Sequence, residues 1–376
     1  MGGAARRLAG LLSGRVLIGV WALTLLLLAG TVVYLQLSYS PPPSAEAADA
    51  AGTAAPPADA ATEVGEVEEP VPADTGAVRE EAPLDAAQEA EATSEDTAPA
   101  DATSALIRLA PAPDPDLVES GPHGLLPIKA PDGRRPWRVY ARPFLGDPVA
   151  PRIALVIVDI GLGREATDAA IETLPPAVTL AISPYAPDPQ EVARRARAAG
   201  HEVLLMVPME PRGYPGNDPG PHALLVDRPA AEIRDNLHYV MSRFQGYVGI
   251  VNQMGSRFTA DRQAVTLVIG DIAPRGLLVL DARAVPGSLL AAVAAEMGVP
   301  HAANDRFIDN TPSSQEIDRA LEALARRAAA RGRAVGIGRP YPVTLARLRA
   351  WSGTLAARGL ELAPVSAVVN RGEDKS

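Results

Sequence analysis

The stretch of sequence that most constrains the fold runs from Ile153 to Gly163 and reads IALVIVDIGLG. Its first part is an unbroken apolar run, which is typical of a strand buried on both faces of a parallel sheet. The run ends in one acidic residue, Asp159, which two glycines and a helical pattern follow. A carboxylate at the end of such a strand lies at the edge of an α/β sheet or barrel that normally carries function.

The same alternation of strand and helix continues along the chain. Apolar runs predict strands at 153–159, 177–183, 203–208, 247–252, 277–281, 299–303, 334–338 and 361–366. Helical patterns lie between them at 164–173, 188–199, 229–244, 260–274, 287–297, 313–331 and 342–358. Roughly seven or eight such units favour a distorted (β/α) barrel over an open doubly wound sheet. We therefore predict an α/β domain at 149–370 and a short tail at 371–376.

The N-terminal region predicts a membrane anchor at residues 16–37. This segment begins with an uncharged apolar run of about 20 residues, which is long enough to cross a bilayer as a helix. Three arginines lie within residues 1–15, and the next basic residue is Arg79. This asymmetry predicts a cytoplasmic N-terminus and an exported remainder. A cleaved signal peptide is the alternative, although the run is longer than a usual signal sequence.

Residues 38–148 predict a disordered linker. Between residues 41 and 120 the chain has 19 acidic residues and two arginines, with few large apolar side chains. Such a segment buries too little apolar surface to offset its chain entropy. The net charge of −10 for the whole chain therefore reflects the linker, and the rest is mildly basic. A short extended stretch from Trp137 to Phe144 is expected to pack against the edge of the domain.

Polar side chains follow several predicted strands at the point where each strand ends. Asp159 follows the first, Ser183–Tyr185 the second and Glu210 the third, and the later ends carry Asn252, Gln253, Asp281, Arg283, the stretch 305–310 and Arg339. The carboxyl ends of parallel strands meet at one end of a barrel. We therefore predict a binding or catalytic mouth built from these residues.

The residue types at these strand ends limit the possible chemistry. The chain has no cysteine, and none of its five histidines falls at a predicted strand end, so a Ser–His–Asp arrangement has no support. A hard-cation site on Asp159, Glu210 and Asp281 and a carboxylate pair acting on a glycosidic bond remain open. Gly161–Ala166 matches a dinucleotide fingerprint, but the pattern favours a tight turn. With only 4% aromatic residues and no basic stripe, nucleic-acid binding is not expected.

Several strings resemble those of a known family. In chain order they are IVDIGLG, VTLAISPY, GHEVLLMVPMEP, DPGPHALL, GYVGIVNQMGSRF, LLVLDAR, IGRPYPVTL and LAPVSAVV. The run from Ile153 to Val368 resembles the divergent polysaccharide deacetylases, a branch of the NodB-like carbohydrate esterases. The resemblance implies a distorted (β/α) barrel of the glycoside hydrolase/deacetylase type and a role in carbohydrate metabolism at the bacterial envelope.

The sequence differs from the family pattern at the positions that bind the metal in the family. The resemblance implies that acids and imidazoles bind zinc, whose water attacks an acetamide. Of the family's double Asp only Asp159 is present, because Val158 takes the first position. Met206, Gln253 and Arg339 stand where the family has histidines. We therefore expect no metal and no other cofactor, although zinc is typical of the family.

These observations lead to one expected function and two alternatives. We expect an inner-membrane protein with one span and a periplasmic domain that binds an envelope glycan or an envelope protein without metal-dependent catalysis. Asp159 is the one candidate catalytic residue, and the candidate substrate-binding residues are Glu210, Asn252, Gln253, Asp281, Arg283 and Arg339. The alternatives are an active deacetylase or hydrolase that works through carboxylates around Asp159, and an envelope scaffold with a vestigial site.

Overall fold

The computed structural model describes residues 107–370. Its strands are β1 (Val118–Gly121), β2 (Gly124–Pro127), β3 (Arg152–Ile160), β4 (Thr179–Ile182), β5 (Val203–Met209), β6 (Gly249–Met254), β7 (Leu278–Asp281), β8 (His301–Ala303), β9 (Arg306–Phe307), β10 (Arg333–Gly338) and β11 (Glu361–Leu362). Its helices are α1 (Pro136–Val139), α2 (Arg164–Thr173), α3 (Pro189–Ala198), α4 (Ala230–Ser242), α5 (Arg262–Ile272), α6 (Leu290–Glu296), α7 (Ser314–Arg331) and α8 (Pro342–Ser352). The predicted strands and helices of the domain each overlap one of these elements, although α8 ends at Ser352 and not at 358, and β11 covers only the first two residues of the strand predicted at 361–366.

The main sheet has nine strands, and all its pairings are parallel. The strand order is β8–β7–β6–β5–β4–β3–β10–β9, and β11 pairs with the start of β3. The strands from β3 to β7 follow each other in both sequence and space. The helices that connect them lie on the outside, as right-handed parallel crossovers require. A separate antiparallel hairpin consists of β1 and β2.

The sheet bends into a barrel that its hydrogen-bond ladders do not fully close. The segment that contains β8 and β9 pairs with β7 at its start and with β10 at its end. At the crossing point the Asn304 N–H donates to the Asp281 carbonyl at 2.8 Å, and the Asp305 N–H donates to the Val335 carbonyl at 2.9 Å. Continuous chain thus joins the two ends of the strand order. The predicted parallel α/β barrel is confirmed in this incomplete form.

Side chains alternate along each strand between two apolar layers. On β3, Ile153, Leu155 and Ile157 belong to the outer layer, which the helices cover. Ala154 and Val156 point to the inside of the barrel and pack with residues of β5, β7 and β10. Because both faces of the sheet are buried, the middle positions of its strands are almost all apolar, and polar residues occur mainly at the strand ends. This burial is the physical reason for the apolar runs in the sequence.

The segment before the barrel closes the amino end of its interior. Leu117, Trp137 and Tyr140 are at most 4% exposed and belong to the same apolar cluster as the inner faces of the strands. The Trp137 N–H donates to the carbonyl of Gly276, just before β7, at 3.1 Å. The predicted linker at 38–148 is therefore wrong for residues 107–148. A few widely spaced apolar residues, without helical or strand periodicity, are enough to fill the end of the barrel.

The predicted cytoplasmic stretch, membrane anchor, remaining linker and C-terminal tail lie outside the described residues. Within residues 107–370 no helix combines the length and the apolar composition that a membrane crossing needs. The anchor at 16–37 therefore stays a prediction from the sequence.

Trp137→Ala tests whether residues 107–148 form part of the domain. The substitution removes a buried indole from the inner cluster, so the free energy of unfolding in urea should fall by about 3–5 kcal/mol. Leu145→Ala in the same segment is the matched control, because Leu145 is 70% exposed and surface changes stay within about 0.5 kcal/mol. Equal, small effects of the two substitutions would show that the segment does not belong to the core.

Candidate functional site

A bulge at the carboxyl end of β3 directs Asp159 into the open end of the barrel, called the mouth below. The register of β3 against β4 shifts by one residue between Ile157 and Ile160. Asp159 lies in this bulge with a left-handed backbone (φ 62°), and its N–H lies 3.1 Å from the sulfur of Met206. Bulges of this kind re-aim side chains next to functional sites.

Arg339 follows β10, the strand beside β3, and its side chain lies over the mouth. Its Nε is 3.4 Å from Oδ2 of Asp159, and one terminal nitrogen is 3.9 Å from Oδ1 of Asp309. Asp309 follows β9 on the other side of β10, and its Oδ2 accepts hydrogen bonds from the Arg339 N–H at 2.6 Å and from the Thr344 hydroxyl at 3.0 Å. The three charged side chains thus form an acid–arginine–acid arrangement across adjacent strand ends.

Burial controls the protonation of both acids. It raises the pKa of Asp159, which the guanidinium of Arg339 partly opposes and the negative charge of Asp309 reinforces. Burial also raises the pKa of Asp309, against the hydrogen bonds from the Arg339 N–H and Thr344. The mouth therefore holds two carboxyl groups that bind protons more tightly than exposed ones, with one arginine as their counter-charge.

The end of β6 contributes an amide whose carbonyl is unsatisfied. Gln253 belongs to the inward-facing set of β6 by its alternation with Val251, and its buried Oε1 has no hydrogen-bond partner among the described residues. Asn252 has a structural part, because it donates to the Met254 carbonyl and accepts from the Ala282 N–H, both at 2.8 Å. Of this amide pair, Gln253 is the member with an acceptor to offer a ligand.

Asp281 organises the loop after β7 and presents Arg283. The Asp281 carboxylate is buried and accepts from the Arg283 N–H at 2.7 Å, from the Ser288 hydroxyl at 2.9 Å and from the Ala291 N–H at 3.3 Å. Arg283 has a left-handed backbone (φ 50°) and an exposed side chain. Within residues 107–370 no ion pair or hydrogen bond engages its guanidinium. Asp281 is thus a support, and Arg283 is available for contact with a ligand.

Glu210 lies next to the mouth and supports its wall. Its carboxylate is buried, accepts from the Val226 N–H at 2.7 Å and pairs with Arg257. Its backbone carbonyl accepts the N–H groups of Arg257 and Phe258 at 3.0 and 3.1 Å. These contacts tie together the loops after β5 and β6. They leave the carboxylate turned toward protein groups.

The residues at the mouth do not fit the zinc ion that the family resemblance implies. The positions that carry imidazoles in the family hold a thioether (Met206), an amide (Gln253) and a guanidinium (Arg339). The positive charge of Arg339 lies 3.4 Å from the one aspartate of the family motif, where it repels a cation. In the part of the chain that the structure describes, no three His, Asp or Glu side chains are grouped to hold one metal ion.

The structure brings some of the predicted site residues together and separates others. Asp159 and Arg339 are in contact, and Gln253 and Arg283 lie at other strand ends around the same mouth. Asn252, Asp281 and Glu210 fix the loops around the mouth by hydrogen bonds to the backbone. Sequence reasoning missed the contact of Asp309 with Arg339 and marked only the stretch 305–310. The signal was the acid that follows the apolar Phe307–Ile308 pair.

The fold and the mouth together define an α/β-barrel protein whose polar groups gather at the carboxyl ends of parallel strands. Residues 155–369 match the family model for divergent polysaccharide deacetylases. The chain belongs to this family, as the resemblance of its sequence strings predicted.

Two proteins and one crystal structure are each similar to part of this chain. An uncharacterized protein of Haemophilus influenzae is 30% identical over 199 residues, which cover 53% of this chain and 70% of that protein. The uncharacterized protein YibQ of Escherichia coli is 29% identical over 206 residues, which cover 54% of this chain and 62% of YibQ. The crystal structure of an uncharacterized protein from Agrobacterium tumefaciens has a TM-score of 0.64 and 38% identity, and it covers 65% of this chain and all of that one.

Asp281→Ala tests whether Asp281 has a structural role, as its hydrogen bonds indicate. Its removal leaves three donors, two in the loop after β7 and one at the start of α6, without their acceptor, so the free energy of unfolding should fall by about 2–4 kcal/mol. Glu165→Ala, an exposed acid at the start of α2, is the control and should change it by less than about 0.5 kcal/mol. If Asp281→Ala left the stability unchanged, its carboxylate would have to be reassigned as a ligand contact.

Proposed function

We propose that the mouth of this barrel binds an envelope glycan and does not catalyse metal-dependent deacetylation. The observation that carries the proposal is the guanidinium of Arg339, which lies 3.4 Å from Asp159. A resident arginine at this point supplies the positive charge that a metal supplies in a deacetylase. It does not bind and ionise a water molecule, which is the step that metal-dependent hydrolysis requires.

The groups around the mouth suit a hydroxyl-rich ligand. Gln253 offers an unsatisfied carbonyl, Asp159 offers acceptors, and Arg283 and Arg339 offer donors. Large apolar side chains stand out from the surrounding strand-end loops: Leu162, Tyr214, Met254 and Tyr341 are 36–52% exposed. Recognition sites commonly combine a few fixed polar groups with apolar and aromatic surface, and sugar rings present both kinds of surface. The same combination of polar groups and exposed apolar side chains would also suit an envelope protein as the binding partner.

The proposed place of action is the periplasmic side of the inner membrane. The support for it is the apolar segment 16–37, with arginines before it and none close after it. The barrel would then be exported and tethered by the acidic residues that follow. Envelope glycans are the carbohydrate polymers within reach of such a domain.

A second candidate function is hydrolysis by carboxyl groups alone. It is favoured by the raised pKa of Asp159, which is what a general acid needs, and by the proximity of Asp309. In this hypothesis Asp159 donates a proton to the leaving oxygen of a glycosidic bond. A water molecule attacks the sugar carbon of that bond and gives its proton to Asp309, the second carboxylate beside Arg339. Glycan turnover that survives metal removal and is lost in Asp159→Asn would favour this function over simple binding.

The full chain in detergent micelles should bind acetylated chitooligosaccharides or peptidoglycan fragments without releasing acetate. Binding measured by calorimetry should weaken about tenfold in Arg339→Ala, which corresponds to about 1.4 kcal/mol. Arg349→Ala on α8 removes an exposed arginine away from the strand ends and should bind like the unaltered protein. Metal analysis after dialysis should find less than one zinc ion per chain.

Two outcomes would contradict the proposal. Stoichiometric zinc together with acetate release would show that the mouth is a working deacetylase site. Equal binding by the unaltered protein and Arg339→Ala would show that the ligand does not use the mouth.

A further inference from the structure

The loop before β3 presents large apolar side chains to solvent at the amino end of the barrel, opposite the mouth. Leu145 and Val149 are 70% and 87% exposed, the two highest values among the large apolar residues of the described chain. Exposed apolar residues that are scattered singly are ordinary, whereas these two lie four residues apart in one loop. Exposed apolar side chains that lie together often mark a surface that contacts a membrane or another protein.

An open pocket of about 650 Å³ lies beside this loop. Its lining includes Leu145 together with Trp137, Arg138, Phe144 and Arg152. The guanidinium of Arg138 lies 5.0 Å from the centroid of the Trp137 ring, and that of Arg152 lies 4.3 Å from the centroid of the Phe144 ring. Small-ligand sites have volumes of about 300–1,000 Å³. The pocket therefore has the size of a ligand site and combines apolar walls with cationic groups.

Further arginines lie next to the pocket because two neighbouring strands begin with arginine. Arg333 of β10 is the register partner of Arg152 of β3, and Arg331 is the last residue of α7. Arg152 and Arg333 donate to backbone carbonyls at 3.0 and 3.4 Å, and within residues 107–370 neither forms an ion pair. Their positive charges are thus held in place without being neutralised by a carboxylate.

The acids at this end offset only part of the positive charge. Asp147 lies in the same loop, and Glu361 of β11 is another register partner of Arg152, so two carboxylates stand against four arginines. Glu202 is buried, and its carboxylate accepts the N–H groups of Arg142 and Ser366 at 3.1 and 3.0 Å. It is directed toward the protein interior and leaves the surface basic.

We propose that this end of the barrel, called the basal patch below, binds the surface of an anionic phospholipid bilayer. The basal patch consists of two apolar and four basic residues: Leu145, Val149, Arg138, Arg152, Arg331 and Arg333. The apolar pair enters the boundary between headgroups and acyl chains, and the arginines contact lipid phosphates, with one headgroup in the pocket. Surfaces that combine apolar and basic side chains bind bilayers in this way. The mouth, at the opposite end of the barrel, then faces away from the membrane.

The inference rests on the proposed place of action at the inner membrane and does not depend on glycan binding at the mouth. An anionic bilayer matches both halves of the basal patch, because it offers phosphates to the arginines and a hydrocarbon layer to the apolar pair. An acidic protein surface would match only the arginines. Each arginine close to an anionic bilayer strengthens binding about fivefold.

A single introduced thiol can report on the basal patch, because the chain has no cysteine. The full chain carrying Leu145→Cys, labelled with an environment-sensitive fluorophore, is reconstituted into lipid nanodiscs that contain nitroxide-labelled lipid as quencher. The discs consist of phosphatidylcholine alone or with about one third phosphatidylglycerol. Leu162→Cys is the matched control, since Leu162 is an exposed apolar residue at the mouth.

The label at position 145 should be quenched in the anionic discs about threefold more strongly than the label at position 162. The quenching at position 145 should fall in neutral discs and at high salt, because both weaken the attraction between arginines and lipid phosphates. Val149→Cys is a second label position in case the first label disturbs the loop, and it should give the same result.

Removing charge from the basal patch should release it from the bilayer. Arg138→Gln/Arg333→Gln removes two exposed arginines, so binding should weaken about thirtyfold and the quenching at position 145 should be lost. Arg306→Gln/Arg349→Gln removes two exposed arginines elsewhere on the barrel and should leave the quenching unchanged. Thermal unfolding should be similar for both variants, which separates loss of binding from loss of folding.

The basal patch would be wrong if the labels at positions 145 and 162 were quenched equally in anionic discs, or if Arg138→Gln/Arg333→Gln kept the quenching. A label at position 145 that stays unquenched in every disc would also overturn it and would favour an acidic protein as the partner. A chain that does not stay with the discs during size-exclusion chromatography would contradict the proposed anchor instead. Quenching at position 145 by added anionic discs would still test the patch on that chain.

Discussion

Burial of a parallel sheet on both faces is the constraint on which this structure depends. The strands satisfy the hydrogen-bonding groups of their backbones by pairing with each other. The interior of the barrel therefore only has to be filled by apolar side chains of different sizes, such as Ala154 and Val156. Trp137 and its neighbours close the amino end of the interior. Polar side chains therefore leave the core at the two ends of the strands, and those at the carboxyl ends gather in the mouth.

The order of the elements follows from the sequence because the inner and outer faces of each strand are both apolar. Apolar runs such as the one that begins at Ile153 are typical of strands buried on both faces, and the helical patterns between them favour parallel strands. The packing of residues 107–148 could not be predicted in the same way. Leu117, Trp137 and Tyr140 are too far apart to form a periodic pattern, and their burial depends on a cavity that exists only after the barrel has formed.

The residue types of the mouth were predictable, but their partners were not. Each acid or amide after a strand was visible in the sequence, and Asp159 and Arg339 do meet. Sequence does not tell a carboxylate that faces the mouth from one that accepts backbone N–H groups, as Asp281 and Glu210 do. The stretch 305–310 contains Asp309, but the sequence does not single this acid out, because the strand before it is only two residues long. Its contact with Arg339 depends on the pairing of β9 with β10.

Three residues at the mouth have a strained backbone conformation. Asp159, Met254 and Arg283 have left-handed φ angles between 50° and 62°, and each such residue costs about 1–2 kcal/mol that glycine would avoid. All three end strands of the sheet, and Asn252 and Asp281 hold two of them by hydrogen bonds. Strain of this kind persists only where surrounding contacts enforce it. Three strained backbone positions at one end of the barrel are therefore held by the packing and hydrogen bonds of the mouth, and they support the proposal that this end is the functional one.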